Sequence, residues 1–548
     1  MLLKSFVTLS VLFSYVLGAP EVKIGDTTVV GRDLTESKVE FFGGIPFAKP
    51  PVGKLRFRSP VLKTRLDTDT FNATEYGKSC LQPPMFGPAT GISEDCLTIN
   101  IYRPAGTQPE EKLPILLWVY GGAFIIGGAN TYDGSGLVSR GVARGTPIIY
   151  ANFNYRLGPF GYPQGQEAHG ERELNLGLKD VIAALEWLHA NADAFGGDAS
   201  KITIFGESAG AMNIGTLLLN QDFEKLVRGA ILESGSASSV SAVPAAERDS
   251  VWESFVGSVP SCVSVATSGK TFPCLQDATE DEILTSYLEF VGTNFMAGLS
   301  WVPTLDLGPG SLFPGVPSEL YREGKFARIP FIAGTNLDEG TLFAIGFRSP
   351  NATEAELRAS TLATVSPSVD PGRAARIVDR ILELYPDVPA LGSPYGTGDE
   401  LFGFPSIYKR ASALQGDLVF DAPRRQWSEA AAEHGLKAYG YLFTQPQPGD
   451  PAAGVPHAAE ISWVYGTPPD PSPSAQKFSE VMMDYWISFT VNLDPNDDNG
   501  SERPIWPQYT DQDPILLQLE GGNTTAILDD YRKEPIGFIN ANAPVFRK

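Results

Sequence analysis

Histidine and cysteine are both scarce in this chain, four of each among 548 residues. The four imidazoles, His169, His189, His434 and His457, leave few candidates for chemistry that needs a base near neutral pH. No C-x-x-C or H-E-x-x-H spacing occurs, so the common zinc and dithiol motifs are excluded and neither a metal nor a cofactor is expected. Beyond the N-terminus no apolar run approaches the ~20 residues that a membrane-spanning helix needs. Basic side chains are outnumbered, 42 Lys and Arg against 64 Asp and Glu, and the net charge of −22 repels a phosphate backbone. Nucleic acid is therefore not an expected partner, and solubility outside the cell is reason enough for the acidity. Neither an internal repeat nor a low-complexity segment breaks the chain.

The N-terminus reads MLLKSFVTLSVLFSYVLGA: one lysine, an apolar run from Phe6 to Leu17, then small residues. This is the layout of a secretory signal peptide over residues 1–19, cut after Gly18 or Ala19, and the run is too short for a membrane anchor. Residues 20–548 are read as one large domain of a secreted protein. In an oxidising compartment, proximity pairs Cys80 with Cys96 and Cys262 with Cys274. Each bridge closes a loop of roughly 11 to 15 residues and stabilises by about 3 kcal/mol in chain-entropy terms. Asn72, Asn351, Asn499 and Asn523 each open an N-x-S/T sequon and are glycosylation candidates.

Apolar runs alternate with helical patterns: PILLWVYGG, TPIIYANFNYR, LKDVIAALEWLHANADAFGG, KITIFG, then a helix, then RGAILESG. Alternation of this kind, with near-continuous apolar strands, predicts an α/β protein whose large, mostly parallel sheet is covered on both faces by helices. TTVVGRDL and KVEFFGGIPFA read as antiparallel strands near the N-terminus. The stretch from about Ser236 to Pro303 is helical and punctuated, and STLATVSPSVDPGRAARIVDRILELYPDV reads as two helices separated by proline.

Between the strand KITIF and the helix AGAMNIG lies Gly206-Glu207-Ser208-Ala209-Gly210. A tight strand-to-helix turn strains its central residue, crowds the flanking backbones so that only small residues fit, and leaves Ser208 exposed at a strand end. A serine hydroxyl is a weak nucleophile and needs a base, held in turn by a third group. In this strand-turn-helix setting the chain order is Ser, acid, His, which disfavours His169 in a polar loop and His189 in an amphipathic helix. His434 precedes Gly435 at a helix end, where an imidazole serves the last carbonyls. His457, in the loop PGDPAAGVPHAAEI after a strand, is the expected base. The acid belongs just past another buried strand, Ile329 to Ala333, which Gly334 ends; Asp338 and Glu339 follow. Position does not choose between them: one accepts a bond from His457 Nδ1–H and the other is read as a solvated loop carboxylate. Upstream, WVYGGAFIIGG supplies a glycine-rich loop whose Gly121 and Gly122 turn N–H groups inward, and Ala209 adds another, as an oxyanion requires.

FFGGIPFAKPPVGKLRF, SEDCLTINIYRP, WVYGGAF, NFNYRLGPFGY, FGGDASKITIFGESAG, ESGS, GTNLDEGT and GVPHAAEISWVYG occur in this order. From about Val30 to the C-terminus the chain resembles the type-B carboxylesterase and lipase family of the α/β-hydrolase fold, which includes the cholinesterases. The resemblance implies a Ser208 nucleophile, a Glu339 acid rather than Asp338, a His457 base, oxyanion donors at Gly122, Ala123 and Ala209, and the two cysteine pairs above. It also implies a small-molecule ester as substrate. Two departures stand out: Tyr120 and Ala123 fall in a stretch often written H-G-G-G, and the Ala123 methyl narrows the site while its N–H survives. Glu207 is typical of the family and is read either as a second carboxylate of the site or as half of a structural ion pair.

Lipases of the family carry an amphipathic lid inside the first disulfide loop. Here that loop is LQPPMFGPATGISED, short and broken by prolines and glycines, so an accessible site with little activation by lipid interfaces is expected. Leu81, Met85 and Phe86 are read as lining the cleft mouth or as buried under the disulfide. Phe124, Phe343 and Phe347 are candidates for an apolar acyl pocket. A carboxylesterase acting on soluble or aryl esters, feruloyl esters among them, is the first reading. A lipase or sterol esterase on long acyl chains is the alternative, and a non-catalytic cholinesterase-like binding protein the third.

Overall fold

The apolar runs form strands because each is buried along nearly its whole length, which only a sheet covered on both faces allows. In the computed structural model, which describes residues 18–84, 91–293 and 300–548, β1 (Glu21–Ile24) pairs with β2 (Thr27–Val30), and β3 (Arg32–Leu34) turns back on β4 (Val39–Pro46) as an antiparallel hairpin. β5 (Thr70–Asn72) lies beside β2 in a small sheet of three strands. The remaining strands are β6 (Thr98–Pro104), β7 (Leu113–Val119), β8 (Ile149–Phe153), β9 (Gly197–Glu207), β10 (Gly229–Glu233), β11 (Phe331–Asn336), β12 (Ala438–Phe443), β13 (Ile515–Leu519) and β14 (Thr525–Leu528). They build an 11-stranded sheet in the order β14-β13-β12-β11-β10-β9-β7-β8-β6-β4-β3.

From β8 to β13 neighbouring strands run parallel, and the antiparallel pairs stand at the two edges. All residues of β8, β10, β11 and β12 are buried, whereas edge strand β14 is largely exposed. This is the large, mostly parallel sheet that the strand-helix alternation predicts, and it agrees with the α/β-hydrolase fold that the resemblance implies. One boundary differs: β11 starts at Phe331 and runs through Gly334 to Asn336, because its ladder with β12 continues to Asn336 opposite Phe443. Ladder pairing outweighs the turn preference of a lone glycine.

After β7 the chain crosses to β8 on one side, and after β9 it crosses to β10 on the other. The C-terminal ends of β7 and β9 therefore border a point where strand order reverses, the place where open α/β sheets bind ligands. Helix Leu176–Asn191 precedes β9 and helix Ala209–Leu218 follows it without a linker beyond Ser208. Helices Glu354–Ala363 and Pro371–Leu384 are the predicted proline-separated pair, capped by Thr353 and Asp370. They form a second apolar cluster, with Ile377, Val378 and Ile381 against Tyr408 and Leu414, apart from the main one. Among the described residues no helix is long and apolar enough to cross a membrane. Residues 1–17 of the signal peptide expected over 1–19 lie outside the described residues.

Disulfides join Cys80 to Cys96 and Cys262 to Cys274, with Cα–Cα distances of 5.0 and 5.7 Å. Leu81 is buried beneath the first bridge, close to Phe57 and Phe160, rather than at a cleft mouth. Met85 and Phe86 lie outside the described residues. The four sequon asparagines, Asn72, Asn351, Asn499 and Asn523, are all exposed.

Candidate active site

Ser208 stands between the last residue of β9 and the first turn of its helix with φ 53° and ψ −125°. Such a conformation costs about 1–3 kcal/mol for a residue with a side chain and persists only where its surroundings enforce it. Here the Ser208 N–H donates to Glu233 O at 2.9 Å, and Met212 N–H donates to Ser208 O at 2.8 Å. A Cβ on Gly206 would lie 2.5 Å from Val119 O, and one on Gly210 only 1.9 Å from it. The end of β7 thus presses on both flanks of the serine, which is why both flanks are glycine. The serine residue keeps 8% of its surface exposed.

Past β11 the chain makes a single 3₁₀ turn, Glu339–Thr341. Glu339, 1% exposed, receives bonds from Asn336 N–H (2.7 Å) and Ser234 Oγ–H (2.5 Å) on Oε1. Its Oε2 lies 2.6 Å from His457 Nδ1. Glu339 and His457 are thus brought together; Asp338 faces elsewhere and is not the solvated carboxylate expected of it, being 2% exposed with hydrogen bonds on both oxygens. The rings of Phe420 and Phe343 flank His457, with centroids 4.5 and 5.2 Å away. His457 Nε2 lies 3.0 Å from Glu207 Oε1, next in chain to Ser208, but at an angle outside hydrogen-bonding geometry, so neither atom is bonded to a described residue.

The other imidazoles serve local structure. His434 Nδ1 lies 2.9 Å from Ala430 O at its helix end, as expected, and His189 Nε2 lies 2.9 Å from Leu226 O. His169 is exposed in the short helix Gly165–Gly170 rather than in a loop.

After β7, Gly122, Ala123 and Phe124 take φ values of 109°, 54° and 63°, and Ile125 and Ile126 N–H close the turn onto Gly122 O at 3.0 Å each. Among the described residues, none accepts a bond from the N–H groups of Gly122, Ala123 or Ala209. Tyr120 is a core residue: its ring stacks on Tyr155 at 4.5 Å, and each hydroxyl donates to the other residue's carbonyl. Gly121 packs so close to the serine turn that a Cβ there would meet Glu207 Oε2 at 2.6 Å.

Four residues of the site escaped the sequence reading. Glu460 is fully buried, three residues after His457, and accepts from Asn336 Nδ2–H at 2.6 Å; Glu233 accepts from Trp486 Nε1–H at 2.6 Å. Ser234 and Phe420 complete the shell. Only ESGS and HAAEI hinted at the three polar ones, as polar letters at strand and loop ends, and nothing marked Phe420. Burial raises the Glu207 carboxyl to about 8, Glu460 to about 7, with the neighbouring Glu339 charge adding to it, and Glu233 well above its ordinary value. For His457 burial opposes the charge, but the Glu207 and Glu339 carboxylates outweigh it and lift the imidazole to about 9.

Phe343 stands half exposed beside His457, whereas Phe124 is buried edge-on against Tyr162 and Phe347 packs on the second apolar cluster. A surface cavity of about 470 Å³ lined by Gln445, Phe478 and Gly521 holds none of the site residues. Chemistry and not volume marks the site.

A carboxylesterase family model matches residues 18–539. Lipase 1 of Geotrichum candidum is 32% identical over 96% of each chain, and Secreted lipase 1 of Botryotinia fuckeliana is 33% identical over 96% of this chain and 94% of that one. Among solved structures, Aspergillus niger EstA superposes with a TM-score of 0.81 over 97% of this chain and 99% of that one, at 24% identity, which speaks for the fold. The protein belongs to the carboxylesterase family and is a carboxylic-ester hydrolase.

Proposed function

We propose that Ser208, His457 and Glu339 act as nucleophile, base and acid in a secreted esterase that works through an acyl-enzyme. Ser208 Oγ attacks the ester carbonyl while its proton passes to His457 Nε2, and the Glu339 carboxylate steadies the imidazolium through Nδ1. Gly122, Ala123 and Ala209 N–H groups receive the oxyanion, each donor being worth ~10²–10³ in rate. His457 returns the proton to the departing alcohol, and water repeats the cycle to free the acid. The single observation that carries this reading is the 2.6 Å Glu339–His457 contact beside a strained serine. Covalent labelling by a fluorophosphonate, absent in Ser208→Ala, tests it, and unlabelled wild type would favour a binding protein instead.

Soluble or aryl esters are the substrates this reading expects first, because the first disulfide loop carries too many prolines and glycines for a lid helix. The lipase alternative has its own support: both relatives above are named lipases, and Leu342, Phe343 and Ile345 are 42, 48 and 53% exposed in the turn after Glu339. Rates on p-nitrophenyl acetate and palmitate decide, and at least tenfold faster acetate turnover is expected. Export through residues 1–19 and glycans on the exposed sequons belong to the same proposal, with the secreted relative and the two disulfides in support.

Glu207 sets the pH range. His457 accepts a proton only when neutral, so a neighbouring carboxylate that raises it pushes the acid limb of kcat/KM to higher pH. Glu207→Gln should move that limb down by about 1 unit or more. Stability has the same sign: His457 and Glu207 are both raised in the folded state, from 6.5 to about 9 and from 4.5 to about 8. Their contribution is full below the unfolded values and is lost as pH rises through the folded ones. Tm should therefore fall between pH 5 and 9, and fall less steeply in Glu207→Gln.

A further inference from the structure

We propose that Asp338 is a positioning residue that fastens the loop carrying His457 to the turn carrying Glu339 and so sets the contact between acid and base. The inference rests on the triad reading above. Asp338 is the carboxylate beside Glu339, yet it never meets His457. Its Oδ2 accepts the Val455 N–H at 2.9 Å, and its own N–H donates to Val455 O at 2.9 Å, two residues before the imidazole. Its Oδ1 accepts Ser393 Oγ–H at 2.7 Å and Tyr395 N–H at 2.9 Å, which brings in a third segment.

That third segment is anchored on its far side. Ser393 N–H donates to Lys409 O at 3.1 Å, and Lys409 Nζ donates to Thr397 Oγ1 and Gly398 O at 2.7 and 2.8 Å. Helix Ser406–Gly416 therefore holds residues 393–398, these hold Asp338, and Asp338 holds the His457 loop. Two further straps run beside it: Thr341 Oγ1–H donates to Ala453 O at 2.8 Å and Asn336 Nδ2–H to Pro456 O at 3.0 Å. Contact is close enough that a Cβ on Gly454, at φ +64°, would lie 2.3 Å from Asp338 Oδ2.

A buried carboxylate is costly unless its oxygens are satisfied or paired. Among the described residues no cation lies within ion-pair distance of Asp338, and its hydrogen bonds all come from neutral donors on two loops. Its return is geometric: the acid and base ride on segments 118 residues apart, and an acceptor with two oxygens is what ties them in register.

Asp338→Asn is the test. The amide keeps the shape and one acceptor but turns a donor toward the Val455 N–H. Expected are a 10- to 100-fold lower kcat on p-nitrophenyl acetate with KM within about twofold, a matching drop in the rate of fluorophosphonate labelling, and an acid limb moved to lower pH as His457 loses contact with Glu339. Ser393→Ala and Thr341→Val, which remove single straps, should give the same pattern with smaller size, and they carry the test if Asp338→Asn does not fold. Asp370→Ala removes a helix cap in the second apolar cluster and serves as the control: lower Tm, unchanged kcat and pH profile. Wild-type kcat and pH profile in Asp338→Asn, or losses no greater than those of Asp370→Ala at equal Tm, would overturn the proposal. Failure of wild type to label, by contrast, would strike the triad reading itself.

Discussion

Alanine at position 208 should abolish nearly all turnover, a fall of ~10⁴–10⁶ in kcat on p-nitrophenyl acetate, while Tm changes little or rises. The size follows from the proposed mechanism, in which without Oγ no acyl-enzyme forms and only solvent attack assisted by the remaining proposed oxyanion donors survives. The direction of the stability change follows from the backbone. Ser208 is held at φ 53° by packing of Gly206 and Gly210 against Val119, and that strain is imposed by its neighbours rather than by its own side chain. Steady-state kinetics with active-site titration checks the first effect, calorimetry the second. Turnover within tenfold of wild type would end the nucleophile assignment.

Glu339→Gln should cost ~10³–10⁴ in kcat with little change in KM. Oε1 of this residue already accepts from Asn336 N–H and Ser234 Oγ–H. Those donors will keep the amide oxygen of a glutamine, which leaves its NH₂ facing His457 Nδ1. Two donors cannot share that contact, so the imidazole must place its proton on Nε2, where it can no longer accept from Ser208. Loss of the carboxylate also removes one of the three charges, Glu207, Glu339 and Glu460, that raise His457, so the residual activity should show its acid limb at lower pH. The double variant Ser208→Ala/Glu339→Gln should be no worse than Ser208→Ala alone, because the two act as a unit. Additive losses would mean that Glu339 acts elsewhere than through the serine's base.

Much of this was legible in the chain itself. Buried parallel strands are continuous apolar runs, and PILLWVYGG, KITIFG and RGAILESG could be placed in the sheet on that ground alone. Gly206 and Gly210 announced a crowded turn, and the shortage of histidine made His457 stand out. Less visible was anything set by a neighbour distant in sequence. The end of β11 was placed at Gly334 because local preference says so, whereas a ladder with β12 carries it on to Asn336. Asp338 looked like a loop carboxylate because loops are usually wet; only Ser393, Tyr395 and Val455, from two remote segments, make it a buried one.

The sequence by itself determined the order of strands and helices, the cysteine pairs nearest in sequence and the residue types a hydrolase requires, since all of these depend on local pattern and spacing. Position in the chain left Asp338 and Glu339 equal, the family resemblance favoured Glu339, and the fold brings Glu339 to His457. Tertiary structure alone decided how Asp338 is used, how many glutamates crowd behind the serine, and how far their protons are displaced. Those properties depend on distances and on exclusion of water, and both come into being when segments more than 100 residues apart close on one another.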